Sequence, residues 1–221
     1  MEEAARAQPG EGSAATLDAV LERTRASTVS VDLDLARSII RQPDLSPTAT
    51  PWQFAERAAA DLRALIGLTR GPLKNQPLAD LLQARWADLK EATATAREFA
   101  YGARLVDVDG KARLSLQTRA PKDRRFELAR FFGDAIWQPG SEFGITSKSK
   151  TDRQKFQRAF AHSLLCPFDD LRRVVDVNAP TPEAIQAAAN QYRVHVTVVR
   201  NQLAYRGYLP FDTIGLEGEA V

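Results

Sequence analysis

The chain has 221 residues, 44% of them hydrophobic and 26% charged, which suits one ordinary domain with a sizeable core and some additional structure. No run of about 18 apolar residues occurs, which excludes a membrane-spanning helix, and the single Cys166 excludes an internal disulfide and a thiolate metal cage. The net charge of +2 is too small to argue for nucleic acid by itself, although Arg far outnumbers Lys.

Residues 1–15 are rich in Gly, Ala, Glu and Ser and read as a disordered tail. They lack the basic and apolar regions of a signal peptide, so a cytoplasmic location is the default. A short helix is predicted from Thr16 to about Ala26 on Leu17, Val20 and Leu21, and another over Leu33–Arg41 on Leu35, Ile39 and Ile40. Residues 16–50 thus form a helical extension that ends in the linker DLSPTATP, residues 44–51, whose prolines cannot continue a helix. From Trp52, the spacing of Phe54, Ala58, Leu62, Leu65 and Ile66 predicts an amphipathic helix that Gly67 ends, and a second helix follows over Leu78–Trp86. The period then changes. Ala112, Leu114 and Leu116 alternate with Arg113, Ser115 and Gln117, and Asp109-Gly110 suits a type I′ turn, so a hairpin is the one β element expected.

The stretch RFELARFFGDAIW returns to helical spacing through Leu128, Phe131, Phe132, Ala135 and Ile136, over about 124–137, and stops before Pro139-Gly140. SEFGITSKSK reads as a polar loop, followed by a helix from about Thr151 to Leu165 that Thr151 or Ser149 caps. Cys166 is expected as a small buried apolar residue. Lone His162 is expected as a partly buried, hydrogen-bonded side chain, and Asp169 and Asp170 as the acidic first turn of a further helix. Two shorter helices, about 181–192 and 196–206, form a helix-turn-helix-like subdomain over 181–209 through Ala189, Tyr192, Val194, Val199 and Leu203; residues 210–221 are a tail. Two readings of this pair stay open: a subdomain packed on the rest, or a DNA-contacting unit exposing Thr197, Arg200, Asn201 and Tyr205. Its turn needs positive φ at Arg193, where Gly is the easier residue.

Helix, helix, hairpin, then Arg124-Arg125-Phe126 with Leu128-Ala129, and the block Ala159-Phe160-Ala161 with Leu164-Leu165 and Pro167, resemble the ImmA/IrrE family of bacterial metallopeptidase-like proteins. The similarity spans roughly residues 51–209. It implies an α+β, mainly helical, zincin-like fold with a small antiparallel sheet, in which residues 51–180 form a degenerate peptidase-like domain. A zincin needs two His one helical turn apart, a Glu beside the first to activate water, and a third ligand. The resemblance puts Arg130, Phe131 and Asp134 at the first three of these positions and Gln154 at the fourth. Arg does not give up its proton to ligate, and Phe cannot act as a base. The chain has only two histidines, His162 and His195, and neither has a partner at ligand spacing.

No catalytic residue, metal or cofactor is therefore expected. The family implies a catalytically inactive regulatory or protein-interaction module of a bacterium or its mobile elements, with a helix-turn-helix repressor as the kind of protein partner and no membrane. The alternatives are a DNA-binding regulator acting through residues 183–206 and a divergent hydrolase with an unrecognised site. Arg130 and Asp134 lie four residues apart and meet on one helix face. They form either a solvated surface pair or, with the guanidinium in the former metal cavity, a plug in which Arg130, Asp134 and Gln154 converge. The plug turns Phe131 into the apolar core and packs the two helices through Leu128, Phe132, Phe156, Phe160 and Leu164.

Overall fold

The computed structural model describes residues 13–39, 50–91, 101–118 and 120–210. Both expected terminal tails fall outside these residues except at their inner ends, and so does the linker at 44–49. The alternating stretch forms the predicted hairpin, β2 (Gly102–Val106) with β3 (Ala112–Ser115), antiparallel with Arg104 opposite Leu114. Its turn differs from expectation. Asp107 N donates to Lys111 O (2.7 Å) and Gly110 N to Asp107 O (3.0 Å), closing a three-residue loop in which Gly110 takes φ +82°. Asp109 is thereby spared the positive φ that a type I′ turn would impose on it.

Two strands join that the sequence reading missed. β1 (Ser30–Val31) pairs with β3, and β4 (Phe143–Thr146) pairs with β2, giving an antiparallel sheet of order β1-β3-β2-β4. β4 lies inside the stretch read as a polar loop. Strand alternation separates the two faces of the sheet. Ala103 and Ile145 pack with Tyr101 against Leu17 and Val20 of α1 (Ser13–Arg25). Gly102, Arg104, Gly144 and Thr146 face α6 (Pro121–Trp137) on the other side. The expected N-terminal extension is thus built into the sheet.

The remaining helices are α2 (Asp34–Ile39), α3 (Pro51–Leu65), α4 (Asn75–Leu81), α5 (Trp86–Glu91), α7 (Asp152–Leu165), α8 (Phe168–Leu171), α9 (Pro182–Tyr192) and α10 (Val196–Ala204). The single helix expected over Leu78–Trp86 is two, because Gln83 turns left-handed at φ +46° and ends α4. The fold is α+β and mainly helical.

At its centre α7 packs between α3 and α6. Leu128, Phe132, Phe156, Phe160 and Leu164 all enter one core with Phe131, as their spacing predicts. The rings of Phe132 and Phe156 each lie 6.1 Å from Phe160. A Cβ on Gly133 would meet Phe160 Cδ1 at 2.9 Å, so its bare Cα lets α6 and α7 approach. The C-terminal pair joins the same core through Ile185, Ala189, Tyr192, Val199 and Leu203. Its turn takes the left-handed conformation at Arg193 (φ 56°, ψ 41°) despite the side chain. Asp170 does more than begin a helix: its Oδ2 accepts from Gly71 N (2.7 Å) and lies 3.6 Å from Arg63, which also donates to Leu164 O (2.9 Å).

Candidate functional site

The helix α6 carries polar side chains on the face it turns to the sheet. Glu127 and Asp134, seven residues apart, share that face, with Arg130 between them. Each carboxylate lies against a strand position without a side chain. A Cβ on Gly102 would meet Glu127 Oε1 at 2.1 Å, and one on Gly144 would meet Asp134 Oδ2 at 1.9 Å. These two glycines are the space that lets charged groups lie flat on the sheet.

Arg130 Nη2 donates to Gln154 Oε1 (2.6 Å), to Ser147 O (2.7 Å) and to Gln157 Oε1 (3.3 Å). Gln157 Nε2 donates to Asp134 Oδ1 (2.6 Å), which links the two charges through an amide. The direct contact expected between Arg130 and Gln154 exists, whereas Asp134 is linked to Arg130 through the Gln157 amide. The solvated-pair alternative is overturned, because Asp134 is fully buried. Its charge is balanced elsewhere: Arg104 Nη2 donates to Oδ2 (3.0 Å), and Arg153 donates through Nε to Oδ1 (2.6 Å) and through Nη2 to Oδ2 (2.8 Å). Phe131 points into the apolar core, as expected of the plug.

Gln154 and Gln157 also hold the sheet. Val106 N donates to Glu142 O (2.7 Å), and Gly144 and Thr146 pair with β2, so Ile145 and Ser147 aim their backbone groups away from the sheet. Both amides donate to Ile145 O (2.8 and 3.0 Å), and Gln154 Oε1 accepts from Ser147 N (2.9 Å). The cap of α7 positions this row, since Thr151 Oγ1 accepts from Gln154 N (3.3 Å).

Sequence reasoning missed Glu127, Arg104, Arg153 and Gln157. Glu127 accepts from Gln117 N (2.8 Å), Thr118 N (3.2 Å) and Thr146 Oγ1 (3.3 Å). Burial pushes its carboxyl up to about 7, against the lowering effect of those donors and of Arg130. The seven-residue spacing of Glu127 and Asp134 was a signal in the sequence. Arg104 gave none: it is a charge at an inward strand position, recognisable only once its partner is known.

His162 is buried, within ring contact of Phe126 (5.0 Å) and Tyr205 (6.3 Å). Burial, then Arg158, Arg130 and Arg206, push its imidazole down to about 3. Cys166 is fully buried, as expected, and burial pushes its thiol up to about 12. On α10, Thr197 and Arg200 are half-buried and Tyr205 is exposed. Asn201 departs from expectation: it is 4% exposed and therefore turned away from any DNA. Its neighbour Gln202 explains the direction, donating to Cys166 O (2.7 Å) and drawing that face of α10 onto the end of α7.

The zinc that the ImmA/IrrE resemblance implies does not fit these residues. A guanidinium stands at the first ligand position, an amide already bonded through both atoms at the third, and the one carboxylate is engaged by two arginines. Among the described residues no three His, Cys, Asp or Glu side chains converge. A cleft of about 20 Å³ beside Arg104, Gln138 and Ser141 has room for about one water. Among the described residues no helix is long and apolar enough to cross a membrane. No protein-family model and no curated protein matches this chain.

Proposed function

We propose that the chain is a catalytically inactive, ImmA/IrrE-like module that works through protein contacts in regulation, in a bacterium or its mobile elements, with a helix-turn-helix repressor as the kind of partner. One observation supports the inactive part of the reading: Arg130, at the position where the resemblance puts the first ligand, is bonded to Gln154 and Gln157. A plug of this kind joins two helices while supplying neither a Lewis acid nor a base. Equilibrium dialysis against zinc followed by elemental analysis tests it. The expected result is no stoichiometric zinc. About one zinc per chain, lost in Asp134→Ala, overturns the reading.

A DNA-binding regulator acting through α9 and α10 is the second reading, favoured by the left-handed turn at Arg193 between two short helices. The burial of Asn201 and Gln202 leaves Thr197, Arg200 and Tyr205 as its candidate contacts. Retardation of labelled DNA fragments from the native host, lost in Arg200→Gln, would support it; unchanged mobility at any protein concentration would sink it.

A further inference from the structure

Four cations gather where the start of α6, the loop before α4 and the turn between α9 and α10 meet. Arg125 is 2% exposed, and its Nη1 and Nη2 donate to Asn75 Oδ1 and Leu73 O, both at 2.5 Å. Both acceptors are neutral, and Nε has no hydrogen-bond partner among the described residues. Burial, then the neighbouring Arg193, lower its pKa to about 10. Lys122, one turn earlier on the same helix face, donates to Asn190 Oδ1 (3.0 Å), three residues before Arg193. Lys74, next to Asn75, and Arg193 are exposed. Among the described residues none of the four has a carboxylate partner.

Acidic residues also occur on and beside these elements. Asp123 is one turn before Glu127 and shares its sheet side. Glu183 lies seven residues before Asn190, about 10 Å along α9, and marks the edge of the cationic face. Asp80 is held by Gln76 (2.8 Å), and Asp170 by Gly71 and Arg63.

We propose that Lys74, Lys122 and Arg193, set around the buried Arg125, form a contact surface for the phosphate backbone of a nucleic acid. A buried cation with only neutral partners, beside three more of the same sign, is relieved by an anion at the surface. None of the large apolar side chains exposed among the described residues, Trp52, Leu65, Val108, Val174, Tyr205 and Tyr208, belongs to the segments that carry the four cations. A protein interface calls for an apolar centre, whereas phosphate contacts need only Lys, Arg and polar donors such as Asn75, Asn190 and Gln191. The proposal is independent of the inactive-module reading. It shares a ligand class with the DNA-regulator reading but uses none of the contacts on α10.

The test is fluorescence anisotropy of the full chain with a labelled, mixed-sequence duplex of about 20 base pairs, between about 50 and 200 mM salt. The expected result is salt-dependent binding that weakens at least about tenfold, with a log–log salt slope smaller by about 3, in the combined Lys74→Gln, Lys122→Gln, Arg193→Gly variant. Arg193→Gly alone keeps the result interpretable, since Gly accepts the left-handed turn and should raise the melting temperature while binding falls. Four outcomes overturn the proposal. They are no binding by the wild type at the lowest salt, unchanged affinity in the combined variant, loss of binding only in Arg200→Gln with Tyr205→Ala, and competition by polyglutamate as effective as by unlabelled duplex. The third of these leaves the DNA-regulator reading standing, and the last points to an acidic protein.

Discussion

Asp134 is one fully buried carboxylate shared by two arginines and an amide. Removing a buried ion's partner usually costs more than the pair itself is worth, because the remaining charge stays desolvated. Asp134→Ala should therefore destabilise the protein by about 3–5 kcal/mol, since the Arg104 side chain is 3% exposed and cannot reach water. Asp134→Asn, which keeps the shape and one acceptor, should cost less. Urea denaturation midpoints of the two variants check this order, and equal effects would contradict it. At this scale the sequence was half legible. Helical spacing put Arg130 and Asp134 on one face, and the family resemblance added Gln154. The real partners of Asp134 come from a strand and from the first two turns of α7, at a separation that helix periodicity does not reach.

The elements with long, repeated apolar patterns were readable: α3, α6, α7 and the β2–β3 hairpin each bury a face that their spacing announces. The short edge strands were not, because two residues, or four with a glycine among them, cannot establish alternation. Gly133 shows how packing overrides propensity within such an element. Replacing it by Ala gains about 1 kcal/mol of helix propensity. The new Cβ would stand 2.9 Å from Phe160 Cδ1 and 3.2 Å from Phe160 Cβ, close to the ring's anchor, which has little freedom to move. Overpacking costs about 1–3 kcal/mol, so the balance should fall on the side of destabilisation. Thermal unfolding of Gly133→Ala decides it: a higher melting temperature would mean that α6 and α7 separate easily.

For the whole molecule, two buried groups set opposite responses to pH. Glu127 titrates near 7 when folded and near 4.5 when unfolded, so between those values the folded state holds the extra proton and stability falls as pH rises. His162 titrates near 3 when folded and near 6.5 when unfolded, so there the unfolded state holds the extra proton and stability rises with pH. The two slopes oppose each other between about 4.5 and 6.5, and the wild type should be nearly flat in that window as far as these groups decide it. Glu127→Gln should expose the rising limb, with stability climbing up to about pH 6.5, and His162→Leu the falling one, down to about pH 7. The full swing is on the order of 3 kcal/mol for the Glu127 limb and on the order of 5 kcal/mol for the His162 limb. Urea midpoints measured from pH 4 to 8 read both; parallel profiles in the two variants would rule out the opposition.

The row of amides on α7 has a consequence for the protein in crowded solution. An open sheet edge offers backbone donors and acceptors to any passing strand, which is how sheets grow from one molecule into the next. On β4 the outward carbonyl of Ile145 and both backbone groups of Ser147 are already taken by Gln154, Gln157, Arg130 and Arg158, and on the opposite edge β1 is two residues long. Side chains of α7, with Arg130 of α6, thus do part of the work of a fifth strand and leave less of a template for aggregation. The same glutamines that hold Arg130 against α7 also occupy the outer edge of the sheet.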